Sequence, residues 1–169
     1  MNVIIHDLTD LQFQQMYQQI EGDTKIISNN GYIKNCMGCF GCWIKTPGQC
    51  VVKDGYETMG SILSQADTVT IISQCYYGGY SPFVKNVLDR SISFLLPFFR
   101  KIESETHHKP RYQKSFRLCV YFYGEHITQS EKDTAKRLVG RNSINFNVSE
   151  HEVTFLKSIE QLCGKIGES

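Results

Sequence analysis

Thr68-Val69-Thr70-Ile71-Ile72-Ser73 leads through Gln74-Cys75-Tyr76-Tyr77-Gly78-Gly79-Tyr80 into Ser81-Pro82. The first six residues are strongly β-branched and carry no charge, the mark of a strand buried on both faces. Serine as N-cap and proline at the first helical position then open a helix. Val84, Val87, Leu88 and Ser91 would face the core, and Pro97 would end the helix. Between strand and helix lies an aromatic, glycine-rich turn. A buried strand passing directly into a helix is the repeating unit of a parallel sheet.

Upstream, Val3-Ile4-Ile5 reads as strand 1. Thr9-Asp10-Leu11-Gln12 is a capping box. Phe13, Met16, Tyr17 and Ile20 follow at i, i+3, i+4 and i+7, so they share one helix face, and Gly22 is the expected stop. Thr24 to Ser28 reads as strand 2 and Asn29-Asn30-Gly31 as a turn. The glycines and Pro47 predict an irregular loop over 36–50. A helix is expected over 55–65, with Tyr56, Met59, Ile62 and Leu63 inward.

Downstream, residues 98–115 are polar and basic and read as a long loop. Phe116 to Tyr123 reads as a strand. Thr128 and Glu131 cap a helix expected to end near Gly140, residues 144–155 read as a last strand, and a helix is expected over 156–166. Five strands alternating with helices predict one doubly wound α/β domain over residues 1–169, with helices on both faces. Ligands bind such sheets beyond the carboxyl ends of the strands. That brings loops 6–10, 74–81 and 123–127 together.

The composition, 41% hydrophobic and 21% charged, is that of a globular protein, and a net charge of +1 predicts no general affinity for nucleic acid or an anionic membrane. No apolar run approaches the roughly 20 residues of a membrane span. The first residues carry no basic segment followed by an apolar one of signal-peptide length, which predicts a cytoplasmic protein. Seven cysteines cannot all pair within the chain, and in that compartment clustered cysteines point to metal or redox chemistry.

Four of them, Cys36, Cys39, Cys42 and Cys50, are spaced C-x2-C-x2-C-x7-C beside the single tryptophan, Trp43. The spacing allows a loop to wrap a [4Fe–4S] core, and four thiolates equally suit structural zinc. Packed or redox-active free thiols are the third reading. Cys75, at the end of the central strand, reads as packing before reactivity. Cys119 and Cys163 read as core. His107-His108 reads as an exposed pair before a metal or anion site.

The stretch from Cys36 to Asp54, followed by Gln74 to Arg90, resembles the flavodoxin-like NAD(P)H-dependent FMN reductases, in the branch that includes the iron–sulfur flavoproteins. In that branch a cysteine-rich block ending in K-D precedes the central strand, and a Y-x-G-x-x-S-x-x-x-K-x-x-x-D-R block follows it. The resemblance implies a flavodoxin-like five-stranded parallel sheet of order 2-1-3-4-5, FMN at the carboxyl edge of that sheet, NAD(P)H as co-substrate and a homodimer. Tyr76, Tyr77, Gly78, Gly79, Tyr80 and Ser81, with Cys75 among them, would line the flavin ring, and Tyr123 and Gly124 would form the opposite wall. Lys85, Asp89 and Arg90 would hold the following helix. Trp43 and Tyr80 would cap the flavin or close a dimer interface. The cysteine spacing also agrees with the cluster of that branch.

One element departs from the pattern. Where the family has a G-S-P-R phosphate loop, strand 1 runs straight into His6-Asp7-Leu8-Thr9-Asp10. Thr9 and the amides of residues 10–12 remain to hold a phosphate, while Asp7 and Asp10 would repel one unless turned away. The sequence therefore predicts an FMN-dependent oxidoreductase passing electrons from NAD(P)H or a protein donor to a small molecule or a redox partner protein. Two alternatives stand beside it: an iron–sulfur flavoprotein electron carrier, and a redox- or zinc-sensing module without FMN.

Overall fold

The computed structural model describes residues 1–17 and 22–162. Five parallel strands form the sheet: β1 (Asn2–His6), β2 (Thr24–Ile27), β3 (Thr68–Gln74), β6 (Arg117–Tyr123) and β7 (Glu150–Leu156). Their order is β2-β1-β3-β6-β7, the doubly wound order 2-1-3-4-5 when only this sheet is counted. Strand β3 lies at the centre with Val69, Thr70, Ile71, Ile72 and Ser73 all buried, as its β-branched run requires.

Alternate residues of β1 and β3 face two different cores. Val3, Ile5, Val69 and Ile71 meet α3 (Met59–Gln65), α4 (Pro82–Arg90) and α5 (Gln129–Asn145) through Leu63, Val84, Val87 and Val139. Ile4 and Ile72 face the other side, where Leu8, Phe13 and Met16 of the first turn and α1 (Asp10–Met16) pack with Leu156 and Leu162. Each such aliphatic side chain contributes about 1.5–3 kcal/mol on burial. His6 continues the smaller core, buried at 1% exposure and stacked on Phe13 at 4.1 Å. Burial lowers its pKa to about 4, so the imidazole is neutral.

Both capping boxes form, Thr9 with Gln12 and Thr128 with Glu131, and Ser81 caps α4. Several boundaries differ from the sequence reading. Helix α1 ends at Met16, Ile20 lies outside the described residues, and Gly22, the expected stop, stands at φ +81°. Helix α3 begins only at Met59, although Tyr56 is buried as expected. Helix α4 ends at Arg90, seven residues before Pro97, in a 3-10 turn over Ser91–Phe94.

The expected long loop over 98–115 is instead mostly a hairpin, β4 (Leu95–Ile102) against β5 (Glu105–Pro110). Its two-residue turn, Glu103-Ser104, has both residues at positive φ, the twist-matched form for such turns. Helix α5 runs through Gly140 to Asn145, because a glycine is tolerated where Val139 and Ser143 keep the helix on the core. The last strand therefore starts at Glu150 rather than at 144. A 3-10 turn spans Ile159–Leu162, and the rest of the expected last helix, with Cys163, lies outside the described residues. Among the described residues no helix is long and apolar enough to cross a membrane.

Candidate functional site

The carboxyl ends of β1, β3 and β6 meet through one carboxylate. Asp7 follows β1 directly, and its Oδ2 accepts the Gln74 N–H at 2.8 Å while its Oδ1 accepts the Tyr123 hydroxyl at 3.0 Å. The Cys75 N–H donates to Tyr123 O at 2.9 Å and the Gly124 N–H to Leu156 O at 3.0 Å. Burial and the Asp7 charge push the Tyr123 hydroxyl pKa far up, so it remains a donor. The three strand-end loops thus form one edge, with a negative charge across the crevice.

The turn after β3 is pinched shut by its own backbone. Tyr76 and Gly79 exchange N–H···O bonds of 2.9 and 2.7 Å, with Tyr77 and Gly78 at φ +51° and +80° between them. A Cβ on Gly78 would lie 2.7 Å from Glu131 O and 2.8 Å from Thr134 Cβ, so the glycine lets the turn rest on the start of α5. The pinch throws the two tyrosines outward: Tyr76 is 44% and Tyr77 90% exposed.

The other sequence-predicted ring residues have internal roles. Tyr80 is buried against Phe122 at 5.3 Å, and its hydroxyl accepts from Asn142 Nδ2 at 3.3 Å. Burial raises its pKa to about 12. The Ser81 hydroxyl accepts the Val84 N–H, and the Ser81 N–H donates to Ser73 Oγ at 2.8 Å. Cys75 is half-buried, and burial pushes its thiol up, which keeps it protonated near neutrality.

For FMN, the ring end of this edge fits: two projecting tyrosines offer stacking faces beside a glycine turn. The phosphate end is spare. Thr9 Oγ1 accepts the Gln12 N–H at 3.3 Å and donates to Gln12 Oε1 at 3.0 Å, so Thr9 serves its helix. The first-turn amides of Asp10 and Leu11 are the donors left by helix geometry.

The cysteines lie off the end of α4. Phe40, at φ +55°, turns the chain into the single-turn helix α2 (Gly41–Ile44), a regular element in what the sequence presents as loop. Gly41 is required there, since a Cβ would stand 2.6 Å from Val51 Cγ1. Cys36, Cys39, Cys42 and Cys50 all line one cavity of about 50 Å³, walled otherwise by apolar groups, Asn35 and Arg90. Cys42 is buried, Cys50 half-buried, and Cys36 and Cys39 exposed. Burial pushes the Cys42 thiol pKa up, and the other three cysteines raise it further.

Among the described residues no three His, Cys, Asp or Glu side chains are disposed around a single metal ion. Four cysteines lining one cavity supply the ligand number that a multi-iron core needs. The donor set fits a [4Fe–4S] cluster.

Two features around this cavity are absent from the sequence reading. The Arg90 guanidinium, expected to hold its helix, grips Asp54 instead, with Nη1 2.7 Å from Oδ2 and Nη2 2.9 Å from Oδ1. Both residues stand in the motif blocks, which was the available signal. His107 and His108 are not an exposed pair: both are half-buried in β5. His108 packs at a tilt between Trp43 (5.0 Å) and Phe99 (4.7 Å), Trp43 stacks on Phe40 (5.1 Å), and the Trp43 Nε1–H donates to Leu95 O. Trp43 therefore joins the cysteine loop to the hairpin.

The NADPH-dependent FMN reductase family profile matches residues 7–113. An iron-sulfur flavoprotein of Archaeoglobus fulgidus is 34% identical over 70 residues, which are 41% of this chain and 33% of that protein, so the match spans a third of the relative's length. Among solved structures, an FMN-dependent NADH-azoreductase of Bacillus anthracis in complex with FMN superposes with a TM-score of 0.55 at 14% identity, covering 97% of this chain and 92% of that one. An NADPH-quinone reductase of P. pentosaceus gives 0.53 at 10% identity, covering 92% and 83%. At these identities the two structures speak for the fold.

Proposed function

The chain belongs to the NADPH-dependent FMN reductase family, and from that premise we propose that it is an FMN-dependent oxidoreductase carrying a [4Fe–4S] cluster on Cys36, Cys39, Cys42 and Cys50. Electrons would come from NAD(P)H or a protein donor and leave to a small molecule or a redox protein. When bound, FMN supplies hydride acceptance and release of one or two electrons, and the cluster supplies single-electron relay. The chain's own part is positional. Tyr76 and Tyr77 present aromatic faces to the ring, the Asp7 network fixes the strand-end loops, and the cysteine loop holds four sulfurs around one space.

The observation that carries this reading is the convergence of all four cysteines on a single cavity. The named iron-sulfur relative supports it. We further infer a homodimer in the cytoplasm, with exposed Tyr77, Phe98 and Phe99 as apolar surface for association.

Anaerobic purification and a visible spectrum test the reading. Bands near about 370 and 450 nm report flavin, and a broad brown absorbance bleached by dithionite reports the cluster. A colourless protein that takes up neither FMN nor iron and sulfide sinks it. A colourless protein with stoichiometric zinc would favour a metal-sensing module, a reading that Asp7 at the phosphate end makes worth the assay.

A further inference from the structure

Arg90 is the last residue of α4, and its side chain is wholly buried. Besides Asp54, its Nη1 donates to Lys34 O at 2.8 Å and its Nη2 to Val52 O at 3.0 Å. Lys34 stands two residues before Cys36, while Val52 and Asp54 stand two and four residues after Cys50. One guanidinium therefore draws together both arms of the cysteine loop. Asp54 reinforces the arrangement, since its Oδ2 also accepts the Lys34 N–H at 2.9 Å.

Four of the five guanidinium N–H groups are accounted for in this way. The fifth, on Nε, is buried without a hydrogen-bond partner in the folded chain. A buried donor left unpaired is costly, because it has given up water without a replacement. Arg90 lines the cavity whose other walls include the four cysteines, and the Cys50 side chain acts on the guanidinium both as a charge and as a hydrogen-bonding group. A loop staple alone would need only the two Nη groups. Cys50, the sulfur that acts on the guanidinium, is the cavity group left to meet the remaining donor.

We propose that Arg90 is the positioning residue of the cysteine cavity: its Nη groups staple the two arms of the loop, and its Nε–H is the donor kept for an anionic sulfur inside, the Cys50 thiolate or a sulfide of the cluster. This rests on the cluster reading above. Hydrogen bonds to cluster sulfurs and nearby positive charge stabilise the more reduced, more negative state, so Arg90 raises the reduction potential.

The test uses the full chain, reconstituted anaerobically with ferrous iron and sulfide, as wild type, Arg90→Lys and Asp54→Asn. Arg90→Lys keeps the charge but loses the fork. It is expected to shift the midpoint potential to more negative values and to lose iron to a chelator about tenfold faster. Asp54→Asn keeps the Nε donor and removes a negative charge, so its potential should not fall below wild type while iron loss accelerates. Wild-type potential and wild-type iron retention in Arg90→Lys overturn the proposal. Should Arg90→Lys not fold, unchanged iron loss in Asp54→Asn overturns it.

If the wild type takes up no iron, the cluster reading fails by itself, and the apoprotein decides the role of Arg90. A change of about fivefold or more in Cys50 alkylation rate between wild type and Arg90→Lys upholds the staple and donor. An equal rate removes them.

Discussion

Arg90 and Asp54 face each other through two parallel hydrogen bonds, 2.7 and 2.9 Å long, with side-chain exposures of 0% and 3%. Burial works to raise the Asp54 pKa. Hydrogen bonds from Arg90 and from the Lys34 and Tyr56 N–H groups more than offset it and hold the pKa at about 2. Removing one partner strands the other charge in the interior. Asp54→Ala should therefore cost about 3–5 kcal/mol of stability in urea unfolding. The same substitution at the exposed Lys85–Asp89 pair, Asp89→Ala, should cost under about 1 kcal/mol. Equal losses at the two sites would refute the assignment.

The acid limb of the stability curve should have two parts. Buried neutral His6 has a folded pKa of about 4 against an unfolded value of 6.5. The unfolded chain therefore binds the extra proton first, and stability falls as pH drops from about 6.5 to 4, by on the order of 2–3 kcal/mol. Asp54, depressed from 3.8 to about 2, adds stability above about pH 4 that is lost between 4 and 2. His6→Leu should flatten the upper window and leave the lower one, as read by thermal melts across pH.

Asp7 places a carboxylate over the strand-end crevice, beside the expected place of the flavin phosphate. Asp7→Asn keeps an acceptor for Tyr123 or Gln74 and removes the charge. FMN affinity should rise about tenfold, an effect of the order of 1–2 kcal/mol for charges at this range in a partly screened site. Riboflavin, which has no phosphate, should bind wild type and variant alike. Equal gains for both ligands would mean the effect is not electrostatic.

Tyr77 holds a left-handed backbone at φ +51° with its side chain 90% exposed. That conformation costs about 1–2 kcal/mol in a residue other than glycine or asparagine. Tyr77→Asn should leave the melting temperature unchanged or slightly higher. Flavin affinity, measured by fluorescence quenching, should fall about tenfold if the ring stacks there. An unaltered affinity would move the ring contact away from Tyr77.

Much of this fold is legible from local rules. The run Thr68–Ser73 has no other use than a buried strand, and Thr9–Gln12, Thr128–Glu131 and Ser81-Pro82 each mark a helix start by chemistry confined to four residues or fewer. The hairpin of β4 and β5 is illegible for the opposite reason. Pro97 and the polar run His107-His108-Lys109-Pro110 show no two-residue alternation, because what steadies the hairpin is a ring stack to Trp43 and contacts of His107 and Arg100 with the end of α5. The site divides the same way. The cysteine spacing is visible in the chain, whereas the roles of Asp7 and Arg90 depend on partners 67, 116 and 36 residues away. Tyr80 and Ser81 carry the motif's letters but are claimed by the core and by a helix cap.

The ring stack gives the molecule a lamp. Trp43 is the chain's single tryptophan, and it sits one residue after Cys42, sandwiched between Phe40 and His108. Ultraviolet emission excited at the red edge therefore comes from one spot, beside the cysteine cavity and against the hairpin. Anything that fills the cavity, opens the loop or lifts the hairpin changes the light from that spot, and no label has to be added to follow it.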